Sequence, residues 1–182
     1  MDPADELVVV RCQLGERDAF GPLIARWHRP VTTFVAGMVG AGPRAEDLVQ
    51  DVWVRVLRSL PRLNDPAVFP AWLFTLARRV VLDDLRRTYR RPSIDDGADP
   101  DGPATGDSEA DVARLLGRVD LDRALATLGA DDREAVVLFH LLDLPIDDVA
   151  AIAGVPPGTV KSRLHRARRR LRDHLDDQGA PR

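Results

Sequence analysis

The side chains in this sequence that could do chemistry are mainly arginines, and they lie in two clusters. Thirteen of the 26 lysines and arginines fall within residues 69–92 and 157–172. The first cluster has six arginines and two aspartates, whereas the second has Lys161 and six arginines without any acid. Cations gathered along one stretch can neutralise the phosphates of a nucleic acid. The sequence therefore predicts two nucleic-acid-binding faces, which the formal net charge of −3 conceals.

The residues that enzymes and metal sites need are not arranged for that work. The chain has one cysteine, Cys12, and its four histidines lack the spacing of metal ligands. It has no glycine-rich phosphate loop followed by lysine. An aspartate-rich stretch near Asp99 contains Pro100 and lacks the closing glutamate of a calcium loop. We therefore expect a protein that is not an enzyme and that needs no cofactor and no metal.

The two basic clusters are separated by an acidic segment, residues 93–111. This segment has seven acids, no cation and one bulky apolar side chain, so it cannot bury a core. We predict a flexible linker there, between a first domain at residues 5–92 and a second domain at residues 112–177. No apolar run is long enough to span a membrane, and the amino terminus begins acidic where a signal peptide begins basic. These features predict a cytoplasmic protein.

Apolar residues recur at intervals of three and four in both domains, which predicts an all-α fold. A helix is expected after Pro43, stopped by Pro61, and another over residues 70–91. Shorter helices are expected over residues 7–14, 20–27 and 31–39, although the β-branched run at 7–10 also fits a strand.

The last part of the chain has the pattern of a helix-turn-helix. A short apolar helix is followed by Gly154, which permits a tight turn, and by two prolines that open a second helix. One apolar seam runs along that second helix, and its other faces are cationic or polar. A helix that packs through one apolar stripe and carries cations on its other faces suits the major groove of DNA. The simpler alternative is a solvated basic helix end. The seam residues are Val160, Leu164, Ala167 and Leu171.

The helix at residues 70–91 carries the other basic face. Arg79, Arg86 and Arg90 are spaced by seven and four, so they form a stripe about 16 Å long. The alternative is a surface of ion pairs with Asp83 and Asp84.

Two acidic doublets elsewhere, at 131–132 and 147–148, are expected at helix starts, where they offset the helix dipole.

Three segments together resemble sigma factors of bacterial RNA polymerase, of the extracytoplasmic-function group in the sigma-70 family. Residues 45–56, AEDLVQDVWVRV, are similar to the family's polymerase-binding helix. Residues 69–87, FPAWLFTLARRVVLDDLRR, are similar to its minus-ten helix, and residues 158–171, GTVKSRLHRARRRL, to its minus-thirty-five recognition helix. The resemblance implies a region-2-like first domain and a region-4-like second domain, with the helix-turn-helix in the second.

The resemblance also implies site residues. The residues that it implies for docking on the core polymerase are Asp47, Leu48, Gln50, Asp51 and Val54. The residues that it implies for binding the minus-ten element as single-stranded DNA are Phe69, Trp72, Arg78, Arg79, Asp83, Arg86, Arg87 and Arg90. Recognition of the minus-thirty-five duplex falls to Pro157, Thr159, Val160, Lys161, Ser162, Arg163, His165, Arg166 and Arg169. Residues near the start of that helix, Arg163 among them, are expected to face base edges, and the later arginines phosphates. Where the family commonly has asparagine, this chain has Arg79, so the base contact at that position stays open.

The implied function is transcription initiation: the protein binds core polymerase, directs it to promoters and aids promoter melting. The implied partners are core RNA polymerase, promoter DNA and an anti-sigma protein, which in this group is often membrane-anchored; no direct membrane insertion of this chain is expected. Two other readings stay open at this point. One is a stand-alone helix-turn-helix regulator, and the other is a helical adaptor whose basic faces bind acidic proteins.

Overall fold

A computed structural model describes residues 3–90 and 121–179, and these residues form helices and turns without a strand. This confirms the all-α fold. The expected linker, residues 93–111, lies outside the described residues, as do Arg91 and residues 112–120. The helices are α1 Pro3–Gln13, α2 Phe20–Val39, α3 Pro43–Ser59, α4 Phe69–Arg90, α5 over residues 121–126, α6 Ala130–Val136, α7 Ile146–Ala153 and α8 Pro157–Gly179. A π-helical turn, Val137–Leu141, continues α6.

The amino-terminal helices differ from the sequence expectation in two ways. The β-branched run at residues 7–10 is helical and lies inside α1, and the two short helices expected around Pro30 form the single helix α2. Pro30 cannot donate a hydrogen bond to the preceding turn, which costs a helix about 3 kcal/mol. Leu23 lies before Pro30, and Val31 and Phe34 lie after it. All three are buried on the same face of α2 only if the helix is continuous, and their burial offsets the cost of the proline.

Helices α3 and α4 follow the expected boundaries and pack against each other. Pro43 opens α3, and Pro61 falls in the first of two 3-10 turns, Leu60–Arg62 and Pro66–Val68, that separate α3 from α4. Two ion pairs join the helices on their solvent side: the Arg44 guanidinium lies 2.6 Å from Asp84, and Arg55 lies 3.6 Å from Asp83. The α3 seam faces inward, because Val49, Val52, Trp53, Val56 and Leu60 are all buried.

The carboxy-terminal half is the expected helix-turn-helix. Gly154 follows α7 with φ of +68°, a left-handed conformation that a residue without Cβ adopts without strain. The seam of α8 is buried at Val160, Leu164 and Ala167, whereas Leu171 is half-buried.

The two halves of the molecule also pack on each other. Helix α4 contacts α7, and α2 contacts both α6 and the π-helical turn. The buried apolar side chains of both halves consequently form one continuous core.

Candidate nucleic-acid and partner-binding surfaces

Helix α8 is fixed by its apolar seam and presents cations to solvent. Thr159 is half-buried, and the Ser162 hydroxyl donates to the carbonyl of Gly158 within the first turns of the helix. No acid occurs between residues 157 and 172, so this surface is strongly positive. The exposed residues of the predicted recognition set are Pro157, Lys161, Ser162, His165, Arg166 and Arg169.

An acidic cluster at the start of α6 binds the recognition helix. Arg163, whose side chain is 10% exposed, donates from Nη2 to Asp131 Oδ2 at 2.8 Å. Arg166 donates from Nη2 to Asp132 Oδ1 at 2.7 Å, and this hydrogen bond and the charge of Asp132 raise the pKa of Arg166. The doublet does lie in the first turn of α6, as expected. It does more than offset a helix dipole, because it fixes two arginines of α8.

Glu134 is the buried member of this cluster and links the two halves. Its side chain is 3% exposed and accepts a hydrogen bond from Nε of Arg78 on α4. Arg163 Nη1 lies 3.9 Å from its other oxygen. Burial raises the pKa of the Glu134 carboxyl, and the hydrogen bond and charge of Arg78 oppose that rise. The sequence alone did not single out Glu134, since a lone glutamate in a helix gives no signal of a distant partner.

Helix α4 presents part of the predicted minus-ten surface to solvent. Arg79, Arg86 and Arg87 are exposed, and Trp72 is half-buried. Arg78 faces the carboxy-terminal half through Glu134, and Asp83 lies 3.6 Å from both Arg55 and Arg86. The ion pairs expected as an alternative are thus present, but they leave Arg79 and Arg86 of the arginine stripe exposed to solvent. The side chain of Arg90 lies outside the described residues.

Three members of the predicted sites lie in the apolar core, and a fourth, Arg163, is buried against Asp131 and does not face outward as expected; both findings correct the expectation that these side chains contact a partner. Phe69 and Val160 have no exposed surface, and Leu48 is almost fully buried. Phe69 packs edge-on against Trp27 with ring centroids 5.7 Å apart. A side chain buried in this way holds its helix in place, and its neighbours are the residues available to a partner.

A second exposed surface lies on α3, opposite its buried seam. Asp47, Gln50 and Asp51 are exposed there, and Val54 joins them with 44% of its surface in solvent. Leu57, one turn further along, is 43% exposed and was not singled out from the sequence. The sequence could have identified Leu57 as exposed, because it lies off the apolar seam of α3. A strip of acids beside two exposed aliphatic side chains is suited to binding a protein surface.

The described residues contain no group of three or more histidine, cysteine, aspartate or glutamate side chains placed to hold a metal ion. Cys12 is buried, and burial raises the pKa of its thiol. Among the helices described, none is both long and apolar enough to cross a bilayer.

Comparisons with known proteins match both halves. The family model of sigma-70 region 2 matches residues 23–91, and that of sigma-70 region 4 matches residues 118–171. The chain is 34% identical to the probable RNA polymerase sigma-C factor of Mycobacterium bovis, over 92% of this chain and 89% of that protein. It is 37% identical to the RNA polymerase sigma factor CarQ of Myxococcus xanthus, over 90% and 92%.

Two solved structures share the arrangement of helices. One is CnrH in complex with the cytosolic domain of CnrY, with a TM-score of 0.74, 26% identity, and coverage of 96% of this chain and 98% of that one. The other is the sigma factor RpoE of Bartonella quintana in complex with the anti-sigma factor NepR, with a TM-score of 0.69, 30% identity, and coverage of 86% and 96%.

Proposed function

The chain belongs to the sigma-70 family of RNA polymerase sigma factors, in its extracytoplasmic-function group, and we propose that α3 binds core polymerase while α4 and α8 contact promoter DNA. The protein is a transcription initiation factor. It directs the polymerase to promoters by reading the minus-ten and minus-thirty-five elements, and it aids promoter melting. The segments matched by the family models fall within the domain limits that we propose, 5–92 and 112–177, with a linker at 93–111 between them.

The observation that carries this proposal is the surface of α8. One apolar stripe fixes the helix on α7, and the rest of its length up to Arg172 is cationic or polar. A helix of this type, placed second in a helix-turn-helix, enters the major groove with its first turns on the bases. Lys161, Ser162 and Thr159 occupy those turns. Arg169, which is exposed further along the helix, then neutralises a phosphate along the groove, whereas Arg166 is already paired with Asp132.

The proposed minus-ten contacts lie on α4. Arg79, Arg86 and Arg87 track the backbone of a separated strand, while half-buried Trp72 offers an aromatic edge to an unstacked base. Electrostatic tracking and aromatic stacking are the two contributions that bind single strands. Promoter melting follows if α4 holds the separated strand more tightly than the duplex, because binding one state preferentially shifts the equilibrium towards it.

The proposed polymerase contact is the exposed strip on α3. Asp47, Gln50 and Asp51 lie off the buried seam, so the strip is available without any rearrangement of the core. Val54 and Leu57 extend it with apolar area. A regulator that binds DNA alone would have no use for this surface, which is why the stand-alone reading is not favoured.

The relatives suggest the remaining partners and the compartment. CnrH and the Bartonella RpoE were each solved with a second protein, named as an anti-sigma factor in the RpoE complex. We extend that partner class to this chain, whose activity is then controlled by an anti-sigma protein. The protein works in the cytoplasm with the polymerase and carries out no catalytic step of its own.

The test is promoter-directed transcription in vitro. Core polymerase with this protein should start transcripts at specific sites, and either component alone should not. Asp51→Arg reverses one charge in the α3 strip and should abolish co-purification with core polymerase while leaving the helical circular dichroism unchanged. Asp18→Arg, the same reversal at an exposed position outside α3, is the matched control and should assemble normally. Normal assembly of Asp51→Arg would refute the docking surface.

The alternatives predict other outcomes in binding experiments. A stand-alone regulator binds its operator equally well with and without core polymerase. An adaptor for acidic proteins shows no DNA affinity at low salt. The proposed function predicts DNA affinity that falls steeply with salt, because each phosphate contact releases counterions.

A further inference from the structure

One flank of the recognition helix α8 lies along the start of α6. Arg166 donates from Nε to Asp132 Oδ2 at 3.3 Å and from Nη2 to Asp132 Oδ1 at 2.7 Å, so the carboxylate binds the guanidinium through both oxygens. One turn earlier, Arg163 donates to Asp131 at 2.8 Å. Asp131 and Asp132 thus bring two negative charges against this flank of α8.

The other flank of α8 presents cations to solvent. At 3.6 residues per turn, Lys161 and Arg168 lie about 140° and about 160° around the helix from Arg166. Both are exposed, and so is Arg169, which lies between the two flanks. The charge of α8 is therefore distributed unevenly around its axis, with ion pairs on the α6 flank and exposed cations elsewhere.

Burial of Asp132 keeps Arg166 in its ion pair. The side chain of Asp132 is 7% exposed, whereas that of Arg166 is 50% exposed. If Arg166 turned towards a DNA phosphate, the Asp132 carboxylate would remain buried without its partner. An unpaired buried charge costs more free energy than one solvent-exposed ion pair returns. Arg166 is thus in contact with water but is held back from phosphates.

We propose that Asp132 is a specificity-determining residue, which holds Arg166 and so leaves the flank of Lys161 and Arg168 to contact the DNA phosphates. A helix with cations on all its exposed faces can bind phosphates in many rotational orientations, whereas an uneven charge favours one. The pair also limits non-specific binding, which depends on the number of phosphates that the protein neutralises. The inference rests on the proposed role of α8 in DNA binding.

The salt dependence of DNA binding tests this role. Asp132→Asn keeps the shape of the side chain but removes the charge that holds Arg166, which then becomes available to a phosphate. In fluorescence anisotropy with the full chain and a random-sequence duplex, the plot of log affinity against log salt concentration should steepen by about 0.9. The affinity at low salt should rise by about three- to tenfold. Circular dichroism checks that the variant is folded.

Asp131→Asn is the matched control. It removes the same charge from the neighbouring residue, but Arg163 is only 10% exposed and its Nη1 lies 3.9 Å from Glu134. Arg163 therefore stays away from the duplex, and the salt slope of Asp131→Asn should equal that of wild type.

A double variant tests the same pair without leaving a charge unpaired. Asp132→Asn combined with Arg166→Gln removes both charges, so the net charge of the chain does not change. Its salt slope should equal that of wild type, because Arg166 contacts no phosphate in the wild-type complex. A slope shallower by about 0.9 would show that Arg166 does contact a phosphate, and this would overturn the proposal even if Asp132→Asn alone failed to fold.

Selectivity is measured with core polymerase present. Random-sequence duplex should inhibit promoter-directed transcription by Asp132→Asn at a concentration about three- to tenfold lower than for wild type or Asp131→Asn. A purely structural role for Asp132 would lower the yield of folded protein without changing this sensitivity to competitor.

The outcomes separate this inference from the proposed function. Equal salt slopes for wild type and Asp132→Asn, or equal steepening by Asp131→Asn, overturn the role of Asp132 while wild type still directs transcription from specific sites. If wild type directs no such transcription and has no affinity for duplex at low salt, the proposed function fails and the inference fails with it.

Discussion

Glu134→Gln tests how the buried ionic cluster contributes to stability. Glutamine has nearly the same shape as glutamate and keeps an oxygen that accepts from Arg78 Nε. If the cluster acted as a simple buried ion pair, deleting one partner would cost about 3–5 kcal/mol. The direction of the Glu134 pKa indicates a smaller cost, because burial outweighs the attraction of Arg78 and Arg163 for the ionised carboxyl.

The size of the stability change depends on the partners that Arg78 and Arg163 keep when Glu134 is replaced. Arg163 keeps its hydrogen bond to Asp131, and the Arg78 side chain is about a quarter exposed to water. Neither cation is left buried without a partner. We therefore expect Glu134→Gln to change the free energy of unfolding at pH 7 by less than about 1 kcal/mol.

Glu134→Gln also predicts the direction in which stability should change with pH. A carboxyl whose pKa is raised on folding binds more protons in the folded chain than in the unfolded chain, so its stabilising contribution is complete below its ordinary pKa. That contribution is lost as the pH rises through the folded value. Wild type should therefore lose stability relative to Glu134→Gln as the pH rises from about 4 to about 7.

The assay is urea unfolding, followed by circular dichroism at several pH values and constant ionic strength. Glu46→Gln, an exposed position at the start of α3, controls for the loss of one negative charge. The reasoning is refuted if wild type gains stability relative to Glu134→Gln over this pH range, or if Glu134→Gln costs more than about 3 kcal/mol at pH 7.

Four further substitutions test the positions that the structure gives to individual residues. Phe69→Ala should cost about 3–5 kcal/mol in thermal unfolding because it empties a buried aromatic site, and an unchanged melting temperature would contradict its place in the core. Pro30→Ala should stabilise the protein by about 1–3 kcal/mol by restoring a hydrogen bond within α2; a lower urea midpoint would disprove this. Arg163→Ala should lower the melting temperature, because it removes the partner of Asp131. Lys161→Ala should leave that temperature unchanged and reduce the salt slope of duplex binding by about one, and the reverse pattern would place Arg163 on the DNA side.

Much of the fold was predictable because strong local signals mark it. Prolines bound α3, a seam at intervals of three and four fixes its buried face, and Gly154 marks the turn of the helix-turn-helix. Pro30 misled for a physical reason: the local cost of proline is visible in a sequence, whereas the tertiary packing that offsets it is not.

The sites were predictable only in part. Periodicity identifies the exposed side of α3 and of α8, so Asp51 and Lys161 lie in solvent as their positions require. It does not reveal which partner a charged residue takes at long range. Arg78 is therefore equally consistent with DNA and with Glu134, 56 residues away in the chain. The contact between the halves escaped prediction for the same reason.

The pairing of Arg44 with Asp84 has a mechanical consequence. Arg44 binds Asp84 through Nε at 2.9 Å and Nη2 at 2.6 Å, and Nη2 also donates to Thr88, so the start of α3 is braced to the end of α4. Under the proposed function, one braced helix grips the enzyme and the other grips the separated strand. Because this ion pair adds to the apolar packing of α3 on α4, we expect the two surfaces to move together, so that the position of the polymerase on α3 fixes the position of the strand on α4.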